Sequence, residues 1–578
     1  MSNNNSPTNI LDKYGRYKIP KKRRSFKSIC FPEKYILQPS QKFPAAYINP
    51  KTDNKSILLF HQIGSGKTCA AVNIGEKWKH KKEILFVCPA SLKNNFRDEL
   101  RTQCADNNYL KPSERKKLAK LKPSNEAYQK IIDRSDKRID KFYNILSYHK
   151  FVSSIKNKEL SLKNKILIID EIQNMVSVSG TFYKVLSKAI QQSPRSLRIV
   201  LLSATPMFDK PYEIGLTANL LKLEKPFPPP SEFNDKFIKV SKTKKGICRY
   251  KTKNMKLFRS MLSGHISYFR GADPKAFPRV QIKYVKCRMQ NFQYRSYITV
   301  LKKESEKLNL SKTQYYKIFQ AGEIKNLPNN FFIGSRIISN VAFPNKGIGE
   351  DGYKSFKGKS LDLDNLKKYS IKFYKIMKNL KKLHKNKGKA YVYSNFKNYG
   401  GIKSFIKVLK HQGYKDYVDS GSGTKRYCIW SGKESIEYKN EIKNTFNNLN
   451  NNDGSKIQLM LISPSGKEGL SLKGIQQIHI LGPYWNMSRI DQIMGRGNRY
   501  CSHKFMSPDM RQVKIYIYLA VHKNEIKTVD QYIYEMAIKK NKLIKEFELH
   551  MKKAAVDCKL FKNGNVYPEL EEKDYKCD

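Results

Sequence analysis

The sequence lacks the features of membrane-spanning and secreted proteins. No run of 18 apolar residues occurs, so no segment is predicted to cross a bilayer. Residues 1–27 are polar and lack the apolar core of a secretory signal, so we expect no signal peptide. The ten cysteines are scattered, with no C-x-x-C pair, which predicts separate thiols in a reducing compartment and no zinc site.

Acidic residues are also scarce. The 578 residues include 49 Asp and Glu against 112 Lys and Arg, a formal net charge of +63. A field of this sign favours nucleic acid or another polyanion as partner. A proteome-wide coding bias toward lysine would give the same excess of basic residues. The charge alone therefore does not distinguish nucleic-acid binding from such a bias. The basic segment KIPKKRRSFK at residues 18–27 fits either a nucleic-acid or nuclear-import patch or a solvated tail.

Two series of short, β-rich apolar runs are present, and helix-length polar segments separate the runs. Continuous runs of this kind are typical of buried parallel strands in α/β layers. The first series comprises residues 57–60, 84–87, 142–146, 166–169 and 199–202, and the second comprises residues 390–393, 457–462, 477–481 and 513–518. Between them, residues 226–370 are lysine-rich, have helical periodicity and are predicted to hold few strands. Three consecutive prolines at 228–230 mark the start of this stretch.

The stretch ILLFHQIGSGKTCAAV has the order strand, glycine loop, helix. Glycines let a loop turn tightly enough to aim backbone N–H groups at phosphates. The residues predicted to contact the nucleotide here are Gly64, Ser65, Gly66, Lys67 and Thr68. Lys67 is expected to reach the β- and γ-phosphates and Thr68 to ligate Mg²⁺. His61 stands where the full phosphate-loop pattern has its first glycine.

A pair of acids ends the apolar run ILII at residues 166–169. Asp170 is predicted to hold Mg²⁺ and Glu171 to polarise the attacking water, which is the division of roles that phosphoryl transfer needs. Together with an upstream glycine loop, this pair predicts a nucleotide hydrolase. Another strand ends in SAT, where Ser203 and Thr205 are expected to hydrogen-bond the acidic loop and report its state.

The motifs GSGKT, DEIQ, SAT and QIMGRGNR, in this order, resemble motifs I, II, III and VI of superfamily 2 helicases and translocases. The resemblance implies an α/β fold of two tandem RecA-like domains with parallel sheets and a mainly helical insertion between them. It places Gln173 in the catalytic set, at a position where DEAD- and DEAH-box proteins have Asp or His. The implied domains are a basic extension (1–35), an ATP-binding domain (36–225), a basic bridging insertion (226–370), a second RecA-like domain (371–545) and a C-terminal tail (546–578).

Further stretches resemble other family motifs. LQPSQ at residues 37–41 is similar to the adenine-reading stretch of the Snf2-like branch, which makes Gln41 the candidate contact. Residues 88–96 and 144–151 resemble motifs Ia and Ib, which touch the nucleic-acid backbone in the family, and residues 392–396 resemble motif IV. Residues 463–474 resemble motif V, in which Gly469 and Ser471 would lie near both nucleotide and strand.

The stretch DQIMGRGNRYCSH at residues 491–503 resembles motif VI. In the family, Arg496 and Arg499 would approach the γ-phosphate held by Lys67 when the two domains close on ATP, and Gln492 would help to order them. Gly497 stands where many relatives have a bulkier residue, which is expected to loosen the turn that carries the arginines.

The form G-R-x-x-R-x-x-S-H narrows the resemblance to the Snf2-like ATPases of large DNA viruses, among them poxvirus nucleoside triphosphatase I and the early transcription factor small subunit. It implies an ATPase with ATP and Mg²⁺ as cofactors that moves on DNA, works with a viral RNA polymerase or a second transcription factor subunit, and is found in the virion and host cytoplasm. Two alternatives remain: a replication or repair helicase acting on DNA or RNA, and a non-catalytic polymerase-bridging factor.

Overall fold

The computed structural model of the protein describes residues 7–21, 24–121, 125–177, 180–244, 247–307, 332–464, 470–525, 527–567 and 574–578. The strands among these residues are given first. In chain order they are β1 (Ser56–His61), β2 (Glu83–Cys88), β3 (Tyr143–Ser147), β4 (Lys165–Ile169), β5 (Arg198–Ser203), β6 (Ile238–Lys242), β7 (Cys248–Thr252), β8 (Ile266–Phe269), β9 (Arg279–Arg288), β10 (Lys389–Tyr393), β11 (Lys415–Asp416), β12 (Arg426–Trp430), β13 (Leu459–Ile462), β14 (Ile475–Ile480) and β15 (Gln512–Val521).

Helices separate most of these strands. Among the described residues they are α1 (Pro7–Tyr14), α2 (Phe26–Cys30), α3 (Pro39–Tyr47), α4 (Lys67–Trp78), α5 (Lys93–Leu100), α6 (Pro112–Leu118), α7 (Glu126–Asp140), α8 (Tyr148–Lys156), α9 (Thr181–Gln191), α10 (Glu213–Asn219), α11 (Pro230–Phe237), α12 (Met255–Leu262), α13 (Asn291–Lys307), α14 (Ile333–Asn340), α15 (Glu350–Ser355), α16 (Leu363–Tyr369), α17 (Ile371–Lys385), α18 (Ile402–His411), α19 (Tyr417–Ser420), α20 (Ile436–Asn447), α21 (Met487–Met494), α22 (Val529–Lys553) and α23 (Cys558–Asn565).

The chain forms two compact units. The first contains Met1–Lys239, Tyr250–Pro274 and Leu543–Asp578, and the second contains Val240–Arg249 and Lys275–Lys542. Among the described residues, no helix combines the length and apolar character needed to cross a membrane.

The sheet of the first unit is parallel, with the strand order β3-β2-β4-β5-β1-β8. Its strands are apolar on both faces because helices cover both. In β1, Leu58 and Phe60 pack into one core cluster, while Ile57 and Leu59 pack into another. Alternation between two buried faces explains why the sequence shows continuous apolar runs rather than an alternating pattern.

The sheet of the second unit is also parallel, with the order β11-β12-β13-β10-β14-β15-β9. In β10, Val392 faces one core cluster, and Tyr391 and Tyr393 face the other. All nine apolar runs in the sequence coincide with strands of these two sheets. The predicted α/β architecture with two parallel sheets is therefore confirmed.

Residues 226–370, predicted to hold few strands, contain β6, β7, β8 and β9. β8 pairs with β1, and β9 pairs with β15 at the edge of the second sheet. On β9 the large side chains Val280, Ile282 and Tyr284 remain about 40% exposed and alternate with polar residues, so this edge strand lacks the apolar run of a central strand. The limits of the predicted domains stay a prediction.

Both ends of the chain contribute to the core of the first unit. From α1, in the predicted basic extension, Ile10 and Tyr14 are buried. From the C-terminal segment, Phe547 on α22 and Phe561 on α23 pack against the two faces of the first sheet. The segment predicted to be a tail thus supplies core residues, which its mixed composition did not indicate.

Two disulfides lie within the described residues of the first unit. Cys69 on α4 is bonded to Cys104, and Cys558 on α23 is bonded to Cys577, with sequence separations of 35 and 19 residues. The prediction of separate thiols is therefore wrong for these four residues. The sequence pattern did not reveal the pairs because the fold, rather than a short spacing, brings their sulfurs together.

We predict that the two disulfides survive in the purified protein and stabilise the first unit. Closing loops of this length is worth roughly 3–4 kcal/mol each through the lost entropy of the unfolded chain. Reductant should therefore lower the urea midpoint of unfolding, and a non-reducing peptide map should show Cys69 linked to Cys104. Cys248, Cys287 and Cys428, which are buried thiols, serve as the control and should alkylate without reductant once the chain is denatured. Complete alkylation of Cys69 and Cys104 under the same conditions would contradict the prediction.

Candidate ATP-binding and hydrolysis site

The glycine loop predicted to bind phosphate connects β1 to α4. Gly64 and Gly66 have φ angles of 81° and 78°, in the left-handed region that residues with a Cβ rarely adopt. Lys67 is the first residue of α4 and Thr68 the second. The first-turn N–H groups and the positive end of the helix therefore adjoin the loop, as an anion site requires.

Two further side chains at this loop fit a nucleotide. The hydroxyl of Ser65 is buried and has no hydrogen-bond partner among the described residues, so a phosphate oxygen would satisfy it. The side-chain amide of Gln41 lies directly against Gly66, where any Cβ would overlap it. The amide oxygen of Gln41 accepts a hydrogen bond from the backbone N–H of Gln38 at 2.8 Å, and this bond orients the Gln41 side chain. The structure thus places Gln41 beside the phosphate loop, and its contact with adenine stays a prediction.

Lys67 lies between the two predicted catalytic acids. Its Nζ is 3.2 Å from Oε1 of Glu171 and 3.7 Å from Oδ1 of Asp170. Burial alone would lower the pKa of Lys67, but the two carboxylates more than offset it, and the pKa is raised above its usual value. The ammonium therefore stays charged in the buried site, ready to meet a phosphate. Strands β1 and β4 bring these residues together because both strands end at the same edge of the parallel sheet.

A chain of hydrogen bonds continues from Glu171 to the SAT loop. The amide of Gln173 donates to Oε2 of Glu171 at 2.5 Å, and its oxygen accepts the hydroxyl of Ser203 at 2.6 Å. The backbone N–H of Thr205 donates to the same Ser203 oxygen at 2.9 Å. The expected hydrogen bond is thus present for Ser203, through Gln173. It is not present for Thr205, whose buried hydroxyl has no hydrogen-bond partner among the described residues.

Tyr148 contacts the acidic loop, although the sequence did not predict it to be part of the hydrolysis site. Its hydroxyl lies 2.5 Å from the carbonyl oxygen of Asp170 and 2.9 Å from that of Glu171. Glu171 has a φ of 50°, and a left-handed conformation outside glycine is strained. Tyr148 supports this strained turn from α8. Because Tyr148 lies within the stretch that resembles motif Ib, it was instead expected to lie near the nucleic-acid backbone.

In the second unit, the two predicted arginines converge on one acceptor. Nη1 of Arg496 and Nη1 of Arg499 lie 3.3 and 3.2 Å from the carbonyl oxygen of Leu470. Burial, with a smaller contribution from Arg496, lowers the pKa of Arg499 to about 10. Two guanidinium groups held this close in a buried position suit an anion with several oxygens.

The remaining predicted residues have fewer contacts. Gln492 lies on α21, one helical turn before Arg496. The carbonyl oxygen of Ser471 accepts the amide of Asn447 at 2.8 Å. Gly469 lies outside the described residues. The expectation that Gly497 loosens the arginine turn does not agree with its packing, because a Cβ there would lie only 3.1 Å from the ring of Tyr391.

A buried polar cluster leads into the glycine loop and was also missed. His61, the last residue of β1, lies with Nε2 2.7 Å from the hydroxyl of Ser267, which also contacts the carboxylate of Asp557. Burial, followed by the charge of Lys67, lowers the pKa of His61 to about 3, and burial raises the pKa of Asp557 to about 7. The cluster joins β1, β8 and the C-terminal segment behind the loop.

Comparison with protein-family models gives two matches that together span most of the chain. Residues 26–329 match the SNF2-related domain, and residues 372–501 match the helicase conserved C-terminal domain. The chain belongs to the SNF2-related helicase family. It is accordingly a nucleic-acid-dependent ATP hydrolase of the superfamily 2 type, as the sequence predicts.

Viral relatives of this SNF2-related protein align over nearly its full length. A protein of Acanthamoeba polyphaga mimivirus that is named as an ATP-dependent RNA helicase is 46% identical over 98% of this chain and 97% of its own. The termination factor NPH-I homolog of African swine fever virus is 25% identical over 89% of this chain and 78% of its own. The predicted resemblance to Snf2-like ATPases of large DNA viruses is confirmed.

Solved structures of helicase cores also align with the chain. The helicase domain of Pyrococcus furiosus Hef is 14% identical, with a TM-score of 0.40, over 84% of this chain and 95% of its own. The SWI2/SNF2 ATPase core of Sulfolobus solfataricus, solved with double-stranded DNA, is 17% identical, with a TM-score of 0.31, over 88% of this chain and 96% of its own.

The cluster behind the glycine loop predicts a pH-dependent effect of Asp557→Asn. The folded-state pKa of Asp557 is raised, so its contribution to stability is full below about pH 4 and is lost as the pH rises toward 7. Asparagine keeps the neutral hydrogen-bonding pattern without the titration. The melting temperature of the variant minus that of wild type should therefore increase from pH 5 to pH 8.

His61 titrates in the opposite sense, but it is present in both proteins, so its effect largely cancels in the difference. Asp53→Asn, at an exposed position of the same unit, is the matched control, and its difference should change less between pH 5 and pH 8 than that of Asp557→Asn. A pH-independent difference for Asp557→Asn would show that this carboxyl is ionised in the folded protein throughout the range.

Proposed function

We propose that this protein hydrolyses ATP to move along nucleic acid, with DNA as the favoured track, in viral transcription. The observation that carries the proposal is the unbroken chain Lys67–Glu171–Gln173–Ser203–Thr205. This chain connects Lys67, which would hold the γ-phosphate, with the loop that follows β5. The state of the phosphate can therefore alter the position of that loop. Such coupling is what a motor needs beyond hydrolysis itself.

In this proposal the first unit binds and activates the nucleotide. The N–H groups of the glycine loop and Lys67 hold the phosphates, and Ser65 donates its hydroxyl to them. The hydroxyl of Thr68 and the carboxylate of Asp170 are the oxygen ligands that Mg²⁺ prefers, and the ion would neutralise charge on the phosphates. Glu171, oriented by Gln173, accepts a proton from the attacking water.

Arg496 and Arg499 would stabilise the charge that develops on the transferred phosphoryl group. Arginines in this role contribute about 10³–10⁵ to the rate in well-characterised systems. The shared contact with Leu470 supports the assignment, since it keeps both guanidinium groups side by side. Gln492 would assist from the preceding helical turn, and Ser471 and Gly469 belong to the neighbouring segment, for which we propose contact with nucleotide and strand.

The stretches that resemble motifs Ia and Ib, residues 88–96 and 144–151, support contact with a nucleic-acid backbone. Within them β2 ends at Cys88 and β3 ends at Ser147, and these two residues are direct partners in the pairing of β2 with β3. Both strands therefore end side by side at the same edge of the sheet. Together with the net charge of +63, this arrangement suits phosphate contacts, which are independent of sequence and sensitive to salt.

The choice of DNA and of a transcription pathway rests on the family. The SNF2-related match and Gln173, in place of the Asp or His of DEAD- and DEAH-box proteins, favour DNA. The termination factor named among the relatives favours a viral RNA polymerase or a transcription factor subunit as partner, with the virion and host cytoplasm as locations. The mimivirus relative carries an RNA helicase name, so a strand-separating helicase in replication or repair is the second candidate. A non-catalytic bridging role is disfavoured because the hydrolytic groups are all present.

We predict that Glu171→Gln abolishes turnover while nucleotide binding is retained. The amide keeps the size of the side chain but cannot accept the proton of the attacking water, so kcat should fall at least about 100-fold. Steady-state ATPase assays and binding of a fluorescent ATP analogue would measure the two effects. Glu232→Gln, at an exposed position on α11 of the same unit, is the control. Turnover by Glu171→Gln comparable to wild type would exclude Glu171 as the base.

We also predict that DNA stimulates the ATPase more than RNA does, and that the stimulation falls steeply with salt. Each neutralised phosphate releases counterions, so the concentration of DNA giving half-maximal stimulation should rise by orders of magnitude between about 50 and 200 mM salt. Rates should be measured with single-stranded DNA, duplex DNA and RNA side by side at both salt concentrations. A strong preference for RNA would overturn the assignment to DNA and favour the second candidate.

A further inference from the structure

Two buried polar residues, Ser502 and His503, follow the arginines of the second unit, and no role is yet assigned to them. His503 is only 2% exposed. Its Nε2 lies 2.7 Å from the carbonyl oxygen of Ile475, and its Nδ1 lies 2.9 Å from the hydroxyl of Ser502. The same hydroxyl oxygen is 3.4 Å from the backbone nitrogen of Arg499. We refer to these groups, from Ile475 through His503 and Ser502 to Arg499, as the Ser502–His503 relay.

The acceptor at one end of the relay fixes the tautomer of His503. A carbonyl oxygen can only accept, so Nε2 of His503 carries a proton and donates it to Ile475. Burial lowers the pKa of His503 to about 4, so the ring is neutral at physiological pH and Nδ1 has a free lone pair. The Ser502 hydroxyl has two acceptors within reach, Nδ1 at 2.9 Å and the carbonyl oxygen of Gly497 at 3.4 Å, and it donates its proton to the nearer one, Nδ1. Its oxygen lone pairs are then available to accept the N–H of Arg499.

Further bonds connect the same two segments of the chain. The backbone N–H of Leu472 donates to the carbonyl of Arg496 at 3.0 Å, and the N–H of Gly474 donates to the carbonyl of Ser502 at 3.0 Å. The two guanidinium groups reach back to Leu470, as described above. Residues 470–475 and 496–503 are thus connected at successive points, by backbone hydrogen bonds, by the two guanidinium groups and by the relay.

We propose that His503 is a positioning residue for the arginines: as a neutral imidazole of one fixed tautomer, it holds the turn containing Arg496 and Arg499 against residues 470–475. The inference rests on the proposed function, because the arginines matter only if they act on the phosphates. It goes further because His503 would contact no substrate itself. Its role would be to set the orientation of the guanidinium groups of Arg496 and Arg499 toward the phosphates. Displacements of about 1 Å at such groups reduce rates by as much as about 100-fold.

His503→Ala removes both hydrogen bonds and should lower kcat by between about 10-fold and 100-fold. The KM for ATP and the affinity for a fluorescent ATP analogue should change less than threefold, because nucleotide binding depends mainly on the first unit. His503→Gln retains a donor able to reach Ile475 and should recover part of the loss. Ser502→Ala should lower kcat to a smaller extent than His503→Ala.

Non-additivity distinguishes a relay from two independent packing contributions. If Ser502 acts through His503, the double variant Ser502→Ala/His503→Ala should be no slower than His503→Ala alone. His411→Ala is the control, since this histidine of the same unit is exposed and pairs with Asp362; its kcat should equal that of wild type. Melting temperatures of all variants should be recorded. If a variant is unfolded at the assay temperature, His503→Gln replaces it, and the kcat of His503→Gln then decides the test.

The outcome separates this inference from the proposed function. Wild-type protein without ATPase activity on any nucleic acid would remove the proposed function. An active wild type whose activity is lost in Arg499→Ala but is unchanged in folded His503→Ala would leave the proposed function intact and overturn the positioning role alone. Multiplicative losses in the double variant would likewise reject the relay. A selective fall in kcat, partial recovery by glutamine and non-additivity together support it.

Discussion

The site in the first unit depends on one buried ammonium group placed between two carboxylates. Removing charges from water is costly unless opposite charges compensate them, and Lys67 compensates one of the two negative charges of Asp170 and Glu171. The order of the strands in the sheet brings these three groups together. β4 lies between β2 and β5, and β5 lies between β4 and β1. The glycine loop and the acidic loop therefore leave the same edge one strand apart. In the proposed function, a triphosphate that takes up Lys67 would release Glu171 from its ion pair, and this carboxylate would then act on water.

Much of this site could be predicted from the sequence because its parts are local. The apolar runs that form β1, β4 and β5 are buried on both faces, so each is continuous in the sequence and ends at a motif. The left-handed glycines, Lys67, Asp170 and Glu171 all lie within a few residues of a strand end. Parallel pairing then requires these ends to meet at one edge, so strand assignment and motif order were sufficient to expect the cluster.

The parts that could not be predicted depend on contacts between distant positions. His61 and Asp557 meet at Ser267, and Cys69 meets Cys104, but no periodicity or short spacing connects these residues. Tyr148 contacts only the backbone of the acidic turn, so its neighbours leave no pattern of complementary side chains. β9 was missed for a different reason: as an edge strand with one exposed face, it alternates apolar and basic residues and resembles a polar segment.

The two units hold their functional groups by different means, and the difference has a chemical consequence. Lys67 is held by carboxylates, so phosphate binding there exchanges one ionic contact for another. The described contacts of Arg499 are instead with the carbonyl of Leu470 and, through its backbone, with a neutral relay. A phosphate that reaches Arg499 would displace a dipole rather than a charge, and the ion pair formed is then a net gain. His503 adds no charge to the turn that carries the two arginines, because burial, with a smaller contribution from Lys389, lowers its pKa to about 4.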